Sequence, residues 1–170
     1  MRILGIDQAV TESGYCILEE GEVKEISSYK PKNEGFSRII EIQDFFEKLA
    51  KDIDAIVIEG YAFGRAQKSE MMGELGGALK YMCYRNAIPL FVIPPTKMKK
   101  FATGKGNANK TETIIRVVRR WNPESENEHA LESFVLAKIC YNYYNKEAKL
   151  TSAQELVMNE VKVFDFEKDT

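Results

Sequence analysis

The chain has 170 residues, 44% of them hydrophobic and 29% charged, with a formal net charge of −2. These proportions fit one soluble globular domain with a core of ordinary size, and they exclude a disordered or fibrous chain. No apolar run reaches the length of a membrane span, and the apolar opening is too short for a secretory signal, so a cytoplasmic protein is expected.

Ile3-Leu4-Gly5-Ile6 is a short apolar run closed by Asp7 and then by the polar stretch Gln8-Ala9-Val10-Thr11-Glu12-Ser13. That pattern is a buried strand with a carboxylate at its tip. Residues 14–26 read as a hairpin turning near Glu20-Gly21. Phe36, Ile39, Ile40, Phe46 and Leu49 recur at helical spacing and predict a helix over 35–51. Ala55-Ile56-Val57-Ile58 is a second buried strand, ending in Glu59.

A loop with Gly60 and Gly64 then leads to a long helix over about 66–86. Gly73, Gly76 and Gly77 are costly inside it and are expected to let it pack closely on the sheet. Leu90–Ile93 is a strand stopped by Pro94-Pro95. A short helix over Lys97–Phe101, a flexible loop over 103–109 and a helix over Lys110–Trp121 follow. Ser125-x-x-Glu128 has the form of a capping box and predicts a helix running to about Asn145.

Residues 146–170 read as a polar extension, either a short helix and strand or partly disordered. The main domain is therefore expected over 1–145. Three antiparallel strands followed by strand–helix alternation predict an α/β architecture, a mixed five-stranded sheet with helices on both faces.

Asp7 and Glu59 stand at strand tips, and a third acid, Glu132, opens the late helix. Carboxylates converging at a partly buried point repel one another, and a hard divalent cation removes that cost. Cys16, Cys83 and Cys140 are far apart, form no CxxC pair and sit among apolar residues. They read as core residues in a reducing compartment rather than as a zinc site or disulfide framework. Charge is unevenly spread. Lys97, Lys99, Lys100, Lys105, Lys110, Arg116, Arg119 and Arg120 fall in one stretch opposed only by Glu112, whereas acids outnumber lysines from Glu124 onward. Such a block is an electrostatic footprint for polyanions.

Four segments in order carry a family likeness. They are Gly5-Ile6-Asp7 through Gly14-Tyr15, Ile58-Glu59-Gly60-Tyr61-Ala62-Phe63, the basic run Pro95–Lys110, and His129-Ala130-Leu131-Glu132 with the Ala- and Leu-rich helix after it. Over about residues 1–142 the chain resembles the RuvC family of Holliday-junction resolvases, within the ribonuclease H-like nuclease superfamily. The resemblance implies a metal-dependent endodeoxyribonuclease that resolves four-way DNA junctions by paired phosphodiester hydrolysis. It implies action as a homodimer, in a bacterial cell or a phage-infected host.

Asp7, Glu59, His129 and Glu132 fall on the family's metal ligands, with Mg²⁺ or Mn²⁺ as the ion and two ions per site. Glu132 stands where Asp is usual and His129 where an acid is more usual, which favours Mn²⁺. Lys110 falls beside the scissile phosphate and counts with the four ligands as catalytic. Lys97, Lys99, Lys100, Lys105 and Arg116 would grip the DNA backbone. Tyr61 and Phe63, with Arg65 beside them, would stack on unpaired bases at the junction centre. Met71, Met72, Leu75, Leu79 and Met82, with the three helical glycines, offer an apolar stripe for a second subunit, part of which must cover the sheet. Three other readings stand beside this one: an actin-like ATPase, for which the chain lacks a second domain; a related RNA-processing nuclease; and a non-catalytic junction-binding protein. No nucleotide cofactor and no membrane partner are expected.

Overall fold

The computed structural model of the chain describes residues 1–60, 66–146 and 149–169. Its elements in chain order are β1 (Arg2–Asp7), β2 (Ser13–Glu19), β3 (Glu22–Tyr29), α1 (Gly35–Leu49), a 3₁₀ turn (Ala50–Asp52), β4 (Ala55–Glu59), α2 (Ala66–Arg85), β5 (Leu90–Ile93), α3 (Pro95–Thr103), α4 (Lys110–Trp121), α5 (Glu128–Asn145) and α6 (Ser152–Met158). Five strands form one mixed sheet in the order β3-β2-β1-β4-β5. β1, β2 and β3 pair antiparallel, while β4 runs parallel to both β1 and β5. The hairpin turns through Glu20 and Gly21, both with positive φ, the backbone that matches strand twist in a two-residue turn.

The sequence explains each layer. Ala55 to Ile58 is fully buried because β4 lies inside the sheet with helices on both faces, which is why it reads as a continuous apolar run. Leu4, Ile6, Ile56 and Ile58 point into one core half with Ile39, Ile42 and Phe46 of α1 and Leu75, Leu79 and Met82 of α2. Ile3, Val57 and Phe91 point into the other, with Met98 and Phe101 of α3, Val117 of α4 and the inner residues of α5. Burying each such side chain is worth roughly 1.5–3 kcal/mol, so the two halves together outweigh any single surface contact.

Three expectations change. Gly73 and Gly77 are exposed, and a Cβ on either would meet nothing within 4 Å, so they do not bring α2 onto the sheet. Leu75, Leu79 and Met82 do that, and only Met71 and Met72 of the anticipated partner stripe are even half-exposed. The cap of α5 is Asn127, whose side chain accepts from Ala130 N. Ser125 instead accepts from Asn127 N, and no Ser125–Glu128 box forms. The segment after α3 is tied down rather than open. Thr103 Oγ1 bonds the carbonyls of Lys99 and Lys105, and Ala108 is buried.

The C-terminal segment packs on the domain. A capping box of Thr151 and Gln154 starts α6, Val157 and Val161 enter the core, and Phe164 N donates to Leu90 O on the outer edge of β5. Among the described residues no helix is long and apolar enough to cross a membrane.

Candidate metal centre

β1 and β4 end side by side. The last parallel pair is Ile6 with Ile58, so the next residues, Asp7 and Glu59, emerge at one level at the carboxyl end of the sheet. Alternation along both strands turns these two acids toward the face that α5 covers. Gln8 extends the pairing by one more bond, its Nε2 donating to Glu59 O at 2.6 Å.

α5 lies unusually close to this strand end. A Cβ on Gly5 would sit 2.2 Å from Ser133 O, and one on Gly14 would sit 2.0 Å from His129 O. Only glycine at these two positions of adjacent strands admits the helix backbone, and the approach brings the first turns of α5 over Asp7.

His129 Nδ1 lies 2.6 Å from Asp7 Oδ2. Each of Asp7, His129 and Glu132 offers a ligand atom, and these atoms lie within 4.8 Å of one another. Glu59 stands outside that group but close enough to Asp7 for the two carboxylates to influence each other. Lys110, the first residue of α4, places Nζ 3.3 Å from Glu132 Oε2 and 3.5 Å from Glu128 Oε2. A cation at a helix N-terminus is disfavoured by about 0.3–1 kcal/mol, and these two carboxylates offset it.

The electrostatics are those of crowded acids. Burial, then the charges of Asp7 and Glu132, push the Glu59 carboxyl up to about 8. Burial and Asp7 also raise Glu132, against the opposing pull of Lys110 and His129. The hydrogen bond to Asp7 raises His129 above the usual histidine value, although burial and Lys110 oppose it. Burial pushes the Lys110 ammonium down, but Glu132, Asp7 and Glu128 together more than reverse it. Protons and Lys110 thus hold together a set of ligands that a divalent cation would hold in their place. Three carboxylates and one imidazole suit such an ion.

The expected ligands Asp7, His129 and Glu132 therefore meet at one point, with Glu59 and Lys110 adjoining. Glu128, assigned to a cap on sequence, reaches Lys110 instead. Gln8 carries no pattern that sequence reasoning could have caught.

A comparison with protein-family models returns no match. Curated relatives do match. The crossover junction endodeoxyribonuclease RuvC of Thermomicrobium roseum is 26% identical over 160 residues, covering 88% of this chain and 98% of its own. The protein of the same name from Mycobacterium leprae is 27% identical over 130 residues, covering 70% and 69%. Among solved structures, Thermus thermophilus RuvC in complex with a Holliday junction substrate superposes with a TM-score of 0.72 at 18% identity, over 96% of this chain and 99% of that one.

Over most of its length the chain is similar to RuvC crossover junction endodeoxyribonucleases.

A structure of Fowlpox virus resolvase with Holliday junction DNA shares the ribonuclease H-like fold more distantly, with a TM-score of 0.53 at 12% identity over 88% of this chain and all of that one. Lys110 adjoins the candidate metal centre, and the other basic residues are spread over α3, the segment after it and α4. Lys99, half-buried on α3, is near enough to Glu59 to oppose the rise of its pKa. Lys105 and Arg116 are exposed, and Lys100 is half-buried. Lys97 is engaged by Glu160 of the C-terminal segment at 2.8 Å. Arg119, exposed, and Arg120, which donates to Gln154 Oε1, continue the basic face along α4. Tyr61, Phe63 and Arg65 lie outside the described residues.

Proposed function

We propose that this chain is a divalent-metal-dependent endonuclease that resolves four-way DNA junctions, using Mg²⁺ or Mn²⁺ held by Asp7, Glu59, His129 and Glu132. The observation that carries it is the meeting of Asp7, His129 and Glu132 ligand atoms within 4.8 Å at a strand end bordered by lysines. The family relatives are named as junction endonucleases, and the same chemistry fits this site.

Bound ions would supply an activated water and neutralise charge on the attacking and leaving oxygens. The chain's own part is to hold the ligands and place charge. Asp7 is central, on a rigid strand, and faces both Glu59 and the α5 pair. Lys110, on leaving Glu132, has Nζ available to the developing negative charge of a phosphate. Lys99, Lys100, Lys105 and Arg116 offer sequence-independent attraction to the phosphate backbone.

Two strands of like polarity must be nicked, which a symmetric dimer with one centre per subunit does most simply. The outer stripe of α2, with Gly77, Tyr81 at 60% and Tyr84 at 65% exposure, supports this reading. The α1 stripe that carries Glu47, paired with Arg85 of α2, also carries Ile40 and Phe36, both exposed. Exposed apolar and aromatic side chains thus stand on both helices.

Labelled four-way junction and matched linear duplex, each incubated with the protein in Mg²⁺ or Mn²⁺, test the reading. Symmetric nicks on the junction alone are expected. Binding without nicks in either metal would leave a junction-binding protein, and preferential cutting of structured RNA would move the activity to RNA.

A further inference from the structure

We infer that Glu12, Ser28 and Asn127 form a bracket whose role is to position the ligand-bearing end of α5 against the β1 tip. The inference rests on the metal-centre reading above and adds residues to it. Glu12 lies in the short connection between Asp7 and β2. Its Oε1 accepts from Asn127 Nδ2 at 2.7 Å and from Ser28 Oγ at 2.7 Å. Its Oε2 faces Lys30 Nζ at 3.1 Å. Asn127 Nδ2 also reaches Ser28 Oγ at 3.2 Å.

The carboxamide of Asn127 is used at both ends. Its oxygen caps α5 by accepting from Ala130 N at 3.0 Å, which leaves the nitrogen, the only donor, to face Glu12. The cap is thus chained to the loop that leaves Asp7, and two and five residues further on stand His129 and Glu132. The loop is itself closed, since Ser13 Oγ accepts from Ala9 N and donates to Ala9 O. Ser28 is paired in register with Gly14, the glycine on which the His129 carbonyl rests. One bracket therefore sets both the height and the rotation of the helix end that must bring two ligands to Asp7. Partners one step removed from a metal typically change its affinity 10–100-fold when lost.

An exchange of hydrogen-bond polarity separates this role from simple helix capping. Asn127→Asp keeps an excellent cap oxygen but replaces the amide donor with a second acceptor facing Glu12. Mn²⁺ affinity of the purified protein, measured by calorimetry without DNA, should fall at least about tenfold. Amide hydrogen exchange over 128–133 in the metal-free protein should quicken. Glu12→Gln alone keeps the accepting oxygen and should bind Mn²⁺ within about threefold of wild type. Combined with Asn127→Asp it should restore both readouts, because the glutamine amide then donates to the new carboxylate. Unchanged exchange and affinity in Asn127→Asp, or a double variant no better than that single one, would overturn the bracket. If the unmodified protein bound no Mn²⁺, the metal-centre reading would fail, and hydrogen exchange with its rescue would still decide the bracket.

Discussion

His129 Nδ1 and Asp7 Oδ2 stand 2.6 Å apart although 122 residues separate them in the chain, so the closure of α5 onto β1 is recorded in one hydrogen bond. A proton held there competes with any cation that uses the same two side chains.

The first prediction follows from the signs. His129 is raised by Asp7, and Glu59 is raised by burial and its acidic neighbours to about 8. In both cases the folded state holds its proton more tightly than the unfolded chain. Stability from these groups is therefore present at low pH and lost as pH rises, from about 4.5 to about 8 for Glu59 and from about 6.5 through the raised value for His129. The metal-free protein should lose thermal stability between pH 5 and 8, and saturating Mn²⁺ should abolish that slope. Binding at pH 7 should release protons, read by calorimetry in buffers of different ionisation enthalpy. A binding enthalpy independent of buffer would contradict the proton-held cluster.

Asp7→Asn keeps the shape of the residue and removes a charge and a ligand atom. Junction cleavage should be lost while the junction Kd at fixed salt stays within about threefold, because affinity rests on the separate basic face. Cleavage close to the wild-type rate would remove Asp7 from the centre.

Lys110→Ala withdraws the ammonium that lies 3.3 Å from Glu132 Oε2. Single-turnover cleavage should fall by about 10²-fold, the order seen when one stabilising donor is deleted. Arg116→Ala, on the exposed face of α4, should instead weaken junction binding and flatten its salt dependence by about one phosphate contact. If the Lys110 variant lost affinity alone, its place beside the reacting phosphate would be wrong.

Much of this was legible beforehand because strands announce themselves. A short apolar run ending in an acid put Asp7 and Glu59 at strand tips, and the register of β1 on β4 then made them neighbours. The start of α5 was less legible. Ser125 and Asn127 are both good caps, and the sequence pattern favoured the former because Glu128 stood at the right distance. The fold chose Asn127 because Glu12, far away in sequence, offers its carboxylate there. The C-terminal segment is poorly legible for a related reason. Val157 and Val161 are its few buried anchors among polar residues, and their partners lie on α3 and α5, which no local period reveals. Gly73 and Gly77 misled because a helical glycine marks close approach on either side of a helix, to the sheet or to a second molecule.

Gly14→Ala tests the packing that builds the centre. The new methyl would lie 2.0 Å from His129 O and 2.6 Å from Ala130 N, both backbone atoms that no rotamer can move aside. α5 must shift, at a cost of about 1–3 kcal/mol or more. Thermal denaturation should show the loss, and Mn²⁺ affinity should fall with it because His129 moves with its carbonyl. A stable variant with unchanged Mn²⁺ binding would mean that the ligands do not depend on the close approach.

Gly77→Glu addresses assembly. Gly77 is exposed, on the same face of α2 as Tyr81 and Tyr84, and a Cβ there would meet nothing within 4 Å. Any residue with better helix propensity should therefore be tolerated by the subunit, with up to about 1 kcal/mol gained over glycine. In a two-fold interface the new carboxylate lies near its own copy and repels it. Sedimentation at micromolar concentration should show a dimer for the unmodified chain and a monomer for Gly77→Glu, with thermal stability of the subunit retained. The variant should bind junctions more weakly and nick the two strands independently rather than in pairs. A wild-type chain that sediments as a monomer with and without junction DNA would refute the dimer. A Gly77→Glu variant that remains dimeric would move the interface off this face of α2.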